Sequence, residues 1–236
     1  MVAFPTAQNS IAIIPARRGS KRIPLKNIRT MNGRPLIAWA IDVALATDEF
    51  SEVIVSTDDE EIAEIAHANG ASVPFLRPEA LADDFTPTLD VVAHALREMQ
   101  SLGFSGDLLC CIYPAAVLID PCDITESRSL LLRSTREYCA AVLPYAHPIQ
   151  RAMTLGMNGE LTIEDSDAAM QRTQDLPPRW HDAGQFYWGR VVAWDAGLPI
   201  LPNAVGYEID AKRAIDIDTE DDWIRAEILH AAKRLI

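Results

Sequence analysis

From Ile11 to Pro144 the chain alternates short, mostly apolar runs with longer stretches in which apolar residues recur at helical spacing. A run that is apolar on successive residues has no solvent face, so a strand built from it must be covered on both sides. Ile11–Ala16, Glu52–Ser56, Val73–Leu76, Leu108–Tyr113 and Tyr138–Pro144 read as such strands. Between them, Pro35–Thr47, Asp59–Asn69, Thr88–Leu102 and Asp123–Ser134 read as helices. Ile37, Ile41, Val43, Ala44 and Leu45 give the first helix a broad apolar stripe. Asp58 or Asp59 caps the second, and Gly70 stops it. This order predicts an α/β fold with a Rossmann-like, doubly wound, mainly parallel sheet.

After Pro144 the rhythm breaks. Ala152–Leu155 and Glu160–Ile163 flank Gly156-Met157-Asn158-Gly159, a hairpin signal. A polar stretch follows from Asp165 to Gly184. Val205–Ile209 and Ala214–Ile217 then read as strands, and a closing helix runs from about Glu220 to Arg234. Residues 149–184 therefore read as an insertion on the carboxyl side of the sheet. The 236 residues fit one large domain, 1–236, and a 49% hydrophobic content is ample for its core.

The net charge of −13 argues against a nucleic-acid binder, whose phosphate partner needs a basic face. Cys110 and Cys111 are adjacent in a strand and should point to opposite faces. No CxxC pair exists, and the four cysteines read as reduced core thiols of a cytoplasmic protein. The first ten residues lack the pattern of a secretory leader, and the longest apolar stretch, Leu108 to Ile119, is too short for a membrane span.

Three features carry chemistry. The first strand opens into a loop holding Arg17, Arg18, Gly19, Ser20, Lys21 and Arg22, followed by Lys26. A loop at the carboxyl end of the first strand of such a sheet is where phosphates bind, and Arg17 and Lys21 can neutralise their oxygens. A solvated basic turn is the alternative. Second, Asp216 and Asp218 stand at i and i+2, on one side of a strand end, where two carboxylates can hold Mg²⁺. The competing reading is a helix N-terminus capped by Asp218 or Thr219 and followed by acidic residues. Third, the segment from Arg172 through Trp188 concentrates hydrogen-bonding and aromatic groups suited to a polyhydroxylated ligand, or to an oligomer interface. Together the three suggest nucleotidyl transfer to a sugar.

PARRGSKRIPLKNI, VSTDDEEIA, FLRPEALADD and DIDTEDDW resemble the cytidylyltransferases that activate nonulosonic acids, and RTQDLPPRWHDAGQFYWG resembles the branch acting on pseudaminic acid. The resemblance covers nearly the whole chain. It implies CTP and a nine-carbon acidic sugar as substrates, Mg²⁺ as cofactor, pyrophosphate release and a homodimer across which the insertion reaches. It implies that Arg17 and Lys21 meet the triphosphate with Ser20 supporting the loop. Lys26 and Asn27 would lie near the nucleotide, and Arg77, Thr86 and Thr88 would meet cytosine and ribose. Asp216 and Asp218 would hold the metal, Asp216 also accepting the sugar's hydroxyl proton. Tyr113, Arg172, His181, Gln185 and Tyr187 would line the sugar side.

One departure bears on the sugar. Where the family reads Pro-Thr, a small residue and Pro, this chain has Pro114-Ala115-Ala116-Val117. N-acetylneuraminic, legionaminic and 3-deoxy-octulosonic acids are the rival sugars. A non-catalytic nucleotide-binding scaffold is the rival from another class, opposed by the intact Arg17, Lys21, Asp216 and Asp218.

Overall fold

The apolar run at the amino end becomes the strand around which the sheet is assembled. The structure, a computed structural model, describes residues 10–233; the leader reading of residues 1–9 and the expected helix end at Arg234 lie outside them. In chain order the elements are β1 (Ser10–Pro15), β2 (Thr30–Met31), β3 (Arg34–Pro35), α1 (Leu36–Leu45), β4 (Glu52–Ser56), α2 (Glu60–Ala68), α3 (Thr88–Ser101), β5 (Leu108–Ile112) and α4 (Pro121–Arg133). There follow β6 (Tyr138–Pro144), β7 (Met153–Leu155), β8 (Leu161–Ile163), α5 (Ser166–Met170), β9 (Trp180–Arg190), α6 (Val191–Asp195), β10 (Ala204–Glu208) and α7 (Glu220–Lys233).

The six-stranded sheet has the order β10-β6-β9-β5-β1-β4. β1 pairs in parallel with β4 and β5, and β10 with β6, while β9 runs antiparallel between β5 and β6. Alternate residues serve opposite faces, as the pleat requires. Ala12, Ile14 and Cys110 pack towards α1, α2 and α4, whereas Ile11, Ile13 and Cys111 pack towards α3 and α6. The expected split of Cys110 and Cys111 is thus realised. A third cluster, with Ile23, Leu118, Ile217 and Trp223, packs α7 beneath the carboxyl edge. Asp59 caps α2 by accepting from the Ile62 amide at 3.0 Å, and α4 starts two residues earlier than expected because Pro121 is suited to a first helical position. No described helix is long and apolar enough to cross a membrane.

Four expectations are corrected. Val73–Leu76 forms no strand; only single bridges remain, Ser72 to Ile54 in β4 and Leu76 to Thr57 just after it, since Pro74 cannot donate to a ladder. Ala214–Ile217 is irregular, because no strand lies beside it to accept a ladder. The insertion ends before Trp180: Trp180–Arg190 is a central strand, exposed at Trp180 and His181 and buried beyond, and Phe186, Tyr187 and Trp188 fill both faces of the core. Cys122 is exposed on the first turn of α4 and is no core thiol.

Gly189 sits where β9 passes between Tyr138 and Trp194, rings that meet edge-on at 5.0 Å. A Cβ at 189 would lie 2.5 Å from the Tyr138 ring and closer still to the Trp194 indole nitrogen. Overpacking of this kind costs about 1–3 kcal/mol, so Gly189→Ala should lower the melting temperature by roughly 2–12 °C in a chain of this size. A thermal melt unchanged by the substitution would mean that the rings move aside freely.

Candidate active site

β1 and β5 both end at the carboxyl edge, and their loops open a cleft of about 570 Å³. The loop after β1 is held from below. Asn27, buried, donates its side-chain amide to the Arg17 carbonyl at 2.9 Å. Arg18 turns away, its amide bonded to Asp58 and its guanidinium paired with Asp59 and Glu61 at the start of α2. That leaves Arg17, Ser20, Lys21 and Arg22 facing the cleft. A Cβ at Gly19 would meet no protein atom, so nothing in the chain itself demands glycine there.

The cations are already engaged. Arg17 and Lys21 both pair with one carboxylate, Asp84, from the loop after the 79–81 turn. The two partners hold the Asp84 carboxyl below the usual range, Lys21 contributing most. Arg22 pairs with Asp218 at 2.7 Å. Lys26 donates to the Ile217 carbonyl at 2.7 Å, and burial lowers its pKa against the pull of Asp218 and Asp216.

Asp216 and Asp218 line the same cleft although no strand aligns them; the Lys26 bond to the carbonyl between them does so instead. Asp216 opens to the cleft, yet its walls desolvate it, and that burial, followed by the charge of Asp218, raises its pKa. Two carboxylates that crowd each other beside open space suit a hard divalent cation, and Mg²⁺ needs only one or two such ligands beside waters and phosphates. No cluster of three metal-ligating side chains occurs among the described residues. The capping reading is realised at Thr219 rather than Asp218: Thr219, just before α7, accepts from the Asp222 amide at 3.2 Å, while Asp222 accepts from the Thr219 and Asp218 amides.

Arg77 is buried in the cleft wall. Burial lowers its pKa, its nearest carboxylate, Asp58, stands 3.5 Å away, and its Nε and Nη2 have no hydrogen-bond partner. A buried guanidinium left this way is a donor in want of an acceptor. Thr86 lines the cleft within a turn fastened by Asp83, which accepts from the Thr86 amide and hydroxyl, each at 2.7 Å. Thr88 shares a 2.8 Å hydrogen bond with Tyr113, and both line the cleft.

The sugar-side expectations divide. Tyr113 lies in the wall, next to Pro114 and Ala115. Arg172 does not: it is exposed on the insertion, its charge taken by Asp175 at 2.6 Å. His181 is exposed where β9 begins and packs on Tyr145. Gln185 and Tyr187 are core residues, because β9 is central and not a loop. Gln185 donates to the Ala183, Gly184 and Ile215 carbonyls, bracing the segment that carries Asp216. The sequence reading missed Asp83 and Asp84, and named Arg22 in the loop without giving it a role. The doubled aspartate of LADD was the available signal, since acids so close to a basic loop in a folded chain can pair with it.

Over residues 11–231 the chain matches the family described as cytidylyltransferase. It is 37% identical over 222 residues to the pseudaminic acid cytidylyltransferase of Campylobacter jejuni, covering 94% of this chain and 96% of that one. It is 30% identical over 227 residues to the CMP-N,N'-diacetyllegionaminic acid synthase of Legionella pneumophila, covering 93% and 95%. Among solved structures, CMP:2-keto-3-deoxy-manno-octonic acid synthetase complexed with CTP superposes with a TM-score of 0.70 at 18% identity, over 95% of this chain and 99% of that one, a likeness of fold.

Because Asp84 occupies both Arg17 and Lys21, an entering polyanion must displace it. Asp84→Asn should tighten binding of inorganic triphosphate several-fold by calorimetry, since the anion no longer has to displace a carboxylate from Arg17 and Lys21. Weaker binding would mean that Asp84 organises the cations and does not compete for them.

Proposed function

This chain belongs to the cytidylyltransferase family, and we propose that it transfers CMP from CTP to the anomeric hydroxyl of pseudaminic acid, releasing pyrophosphate. The observation that carries the reading is the cleft itself. It opposes a cationic loop, Arg17 and Lys21, to a carboxylate pair, Asp216 and Asp218, with Arg77, ion-paired to Asp58 yet with two N–H-bearing nitrogens in no hydrogen bond, in its wall. The identity to the Campylobacter jejuni enzyme, sustained over nearly the full length of both chains, supports the choice of sugar. The homologue named for legionaminic acid makes that sugar the alternative, and Ala115 in the wall is where the two would be told apart.

In this reading the triphosphate replaces Asp84 on Arg17 and Lys21, whose charges stabilise the transferred group and the departing pyrophosphate. Ser20 supports the loop, and Arg77 offers its free N–H groups to acceptors of the cytosine or ribose. Lys26 and Asn27 act from beneath, fixing the loop and the carboxylates relative to each other. Asp216 accepts the proton of the attacking hydroxyl, which the walls align with the α-phosphorus. Asp216 and Asp218 would hold Mg²⁺, which supplies further neutralisation of phosphate charge when bound.

We also infer a homodimer, in the cytoplasm where CTP is made. Both faces of the β7–β8 hairpin are exposed, with Leu155 at 69% and Leu161 at 62%. An isolated two-stranded hairpin is marginal in water, and a second copy of the chain would cover it.

The deciding assay is pyrophosphate release with CTP, Mg²⁺ and a panel of nonulosonic acids. Pseudaminic acid should be used fastest, and ATP and GTP should not replace CTP, because buried groups matched to one base stay unpaired with another. Turnover of N-acetylneuraminic or legionaminic acid ahead of pseudaminic acid would overturn the sugar assignment. Lys21→Ala should lower turnover by on the order of 10²-fold with the fold intact, the usual loss for one transition-state charge donor. Asp216→Asn and Asp218→Asn should each raise the Mg²⁺ concentration needed for half-maximal rate, since an amide is the poorer ligand. An unchanged Mg²⁺ titration in both would remove the metal from these residues.

A further inference from the structure

Five cations line the cleft among the described residues, and the proposed reaction employs four of them. Arg17 and Lys21 go to the triphosphate, Arg77 goes to the nucleoside, and Lys26 stays beneath, on the Ile217 carbonyl. Arg22 is left over. It stands on the loop after β1, its side chain 69% exposed, and pairs with Asp218 at 2.7 Å. That pair is not what holds the Asp218 segment in place. Lys26 fastens the segment at the Ile217 carbonyl and Gln185 fastens it at the Ile215 carbonyl. An exposed ion pair adds little to such bonds, because solvent screens it. What the pair does show is reach: the Arg22 guanidinium extends to the carboxylate side of the cleft, and a carboxylate fits against it there.

We propose that Arg22 binds the carboxylate of the acidic sugar, and that Asp218, its partner within the chain, gives way to that carboxylate. The proposal rests on the reading of the cleft as a CTP and acidic-sugar site. A nonulosonic acid is a 2-keto acid closed into a ring, so its carboxylate and its anomeric hydroxyl share one carbon. The cation that takes the carboxylate must therefore stand beside the base that takes the hydroxyl proton. Asp216 is that base in the proposed reaction. It lies two residues from Asp218, and two residues of chain span at most about 7 Å. Arg17 and Lys21 are paired elsewhere, with Asp84, whereas Arg22 is paired on this side.

The residue type suits the task. A guanidinium forks onto both oxygens of a carboxylate, which an ammonium does not. The charge also answers a difficulty of the reaction. The attacking hydroxyl carries an anion on its own carbon, and it must approach an α-phosphoryl group that is anionic too. Like charges repel most strongly where the walls exclude water, and a cation on the sugar carboxylate neutralises one of the two. The exchange parallels the one at Asp84: a carboxylate of the ligand replaces a carboxylate of the chain, and Asp218 is released for the divalent cation that the reading assigns to it.

The experiment measures, by calorimetry, the binding of pseudaminic acid and of its C1 amide. The full chain is saturated with Mg²⁺ and α,β-methylene CTP, whose bridging carbon blocks transfer. Wild type should bind the acid about tenfold or more tighter than the amide, the size of one contact to a charged group. Arg22→Gln should bind the two alike, within about twofold, and should bind the CTP analogue as wild type does. Arg22→Lys, which keeps the charge and gives up the fork, should fall between. A wild type that does not distinguish acid from amide overturns the proposal, and so does an acid preference that survives undiminished in Arg22→Gln. Weaker binding of the CTP analogue by Arg22→Gln, with the acid preference intact, places Arg22 on the triphosphate and overturns the proposal as well. Should Arg22→Gln fail to fold, Arg22→Lys carries the test, since an unchanged acid preference there means that the fork is not used. Each of these outcomes concerns Arg22 only, whereas a wild type that releases no pyrophosphate from CTP with any acidic sugar removes the reading on which the proposal rests.

Discussion

One half-buried ammonium ties the two ends of the chain into a single site. Lys26 reaches across 191 residues of sequence to the Ile217 carbonyl, between the two carboxylates that face the cationic loop. Its surroundings disfavour its charge through desolvation, and Asp216 and Asp218 restore part of what burial removes. The bond places two opposed charge sets within one cleft: Arg17 and Lys21 on the loop after β1, Asp216 and Asp218 on the segment before α7. Without it, an irregular segment with no ladder partner would carry the carboxylates, and nothing in the backbone would fix their register against the loop. Gln185 braces the same segment from the other side by donating to the Ile215 carbonyl at 3.1 Å.

The central strand β9 does the complementary work in the sheet. Every other long strand of the six is parallel to β1, so the end of β9 at the cleft is its amino end. That is why the segment from Trp180 to Gly184 arrives at the carboxyl edge and brings Asp182 and Gly184 beside the site. Gly184 has a φ of +60°, and a Cβ there would stand 3.6 Å from an Asp216 oxygen. The register shift between Ala140 and Val142 lies along this part of the pairing, where bulges re-aim a strand.

The sequence made the parallel half of the sheet legible because its strands are buried on both faces and read as unbroken apolar runs. β9 was hidden for the opposite reason. His181, Asp182, Gly184 and Gln185 are polar at its start, and their partners are backbone groups and one another, which periodicity does not register. The cations of the first loop were legible from their placement after β1. Arg172, His181, Gln185 and Tyr187 were assigned to the sugar side by family resemblance within a segment marked by its polar and aromatic content, and neither signal separates a cleft wall from an exposed insertion or a core strand. Asp84 was missed because ion pairs made across 67 residues leave no local pattern.

The charges of the site also explain how an acidic protein can hold a cationic cleft without binding every anion it meets. Three of the cations facing the cleft are paired within the chain: Arg17 and Lys21 to Asp84, and Arg22 to Asp218. A monovalent anion would exchange one carboxylate for another charge of the same size and gain little, since exposed pairs of this kind are weak and screened by solvent. A triphosphate presents several charges on one covalent unit and can take Arg17 and Lys21 together while releasing a single aspartate. Around this cleft, the −13 net charge repels anions at long range, an effect that salt screens beyond about 8 Å at physiological ionic strength. Selectivity for a polyanion therefore follows from the valence of the exchange at short range and does not require a positive surface.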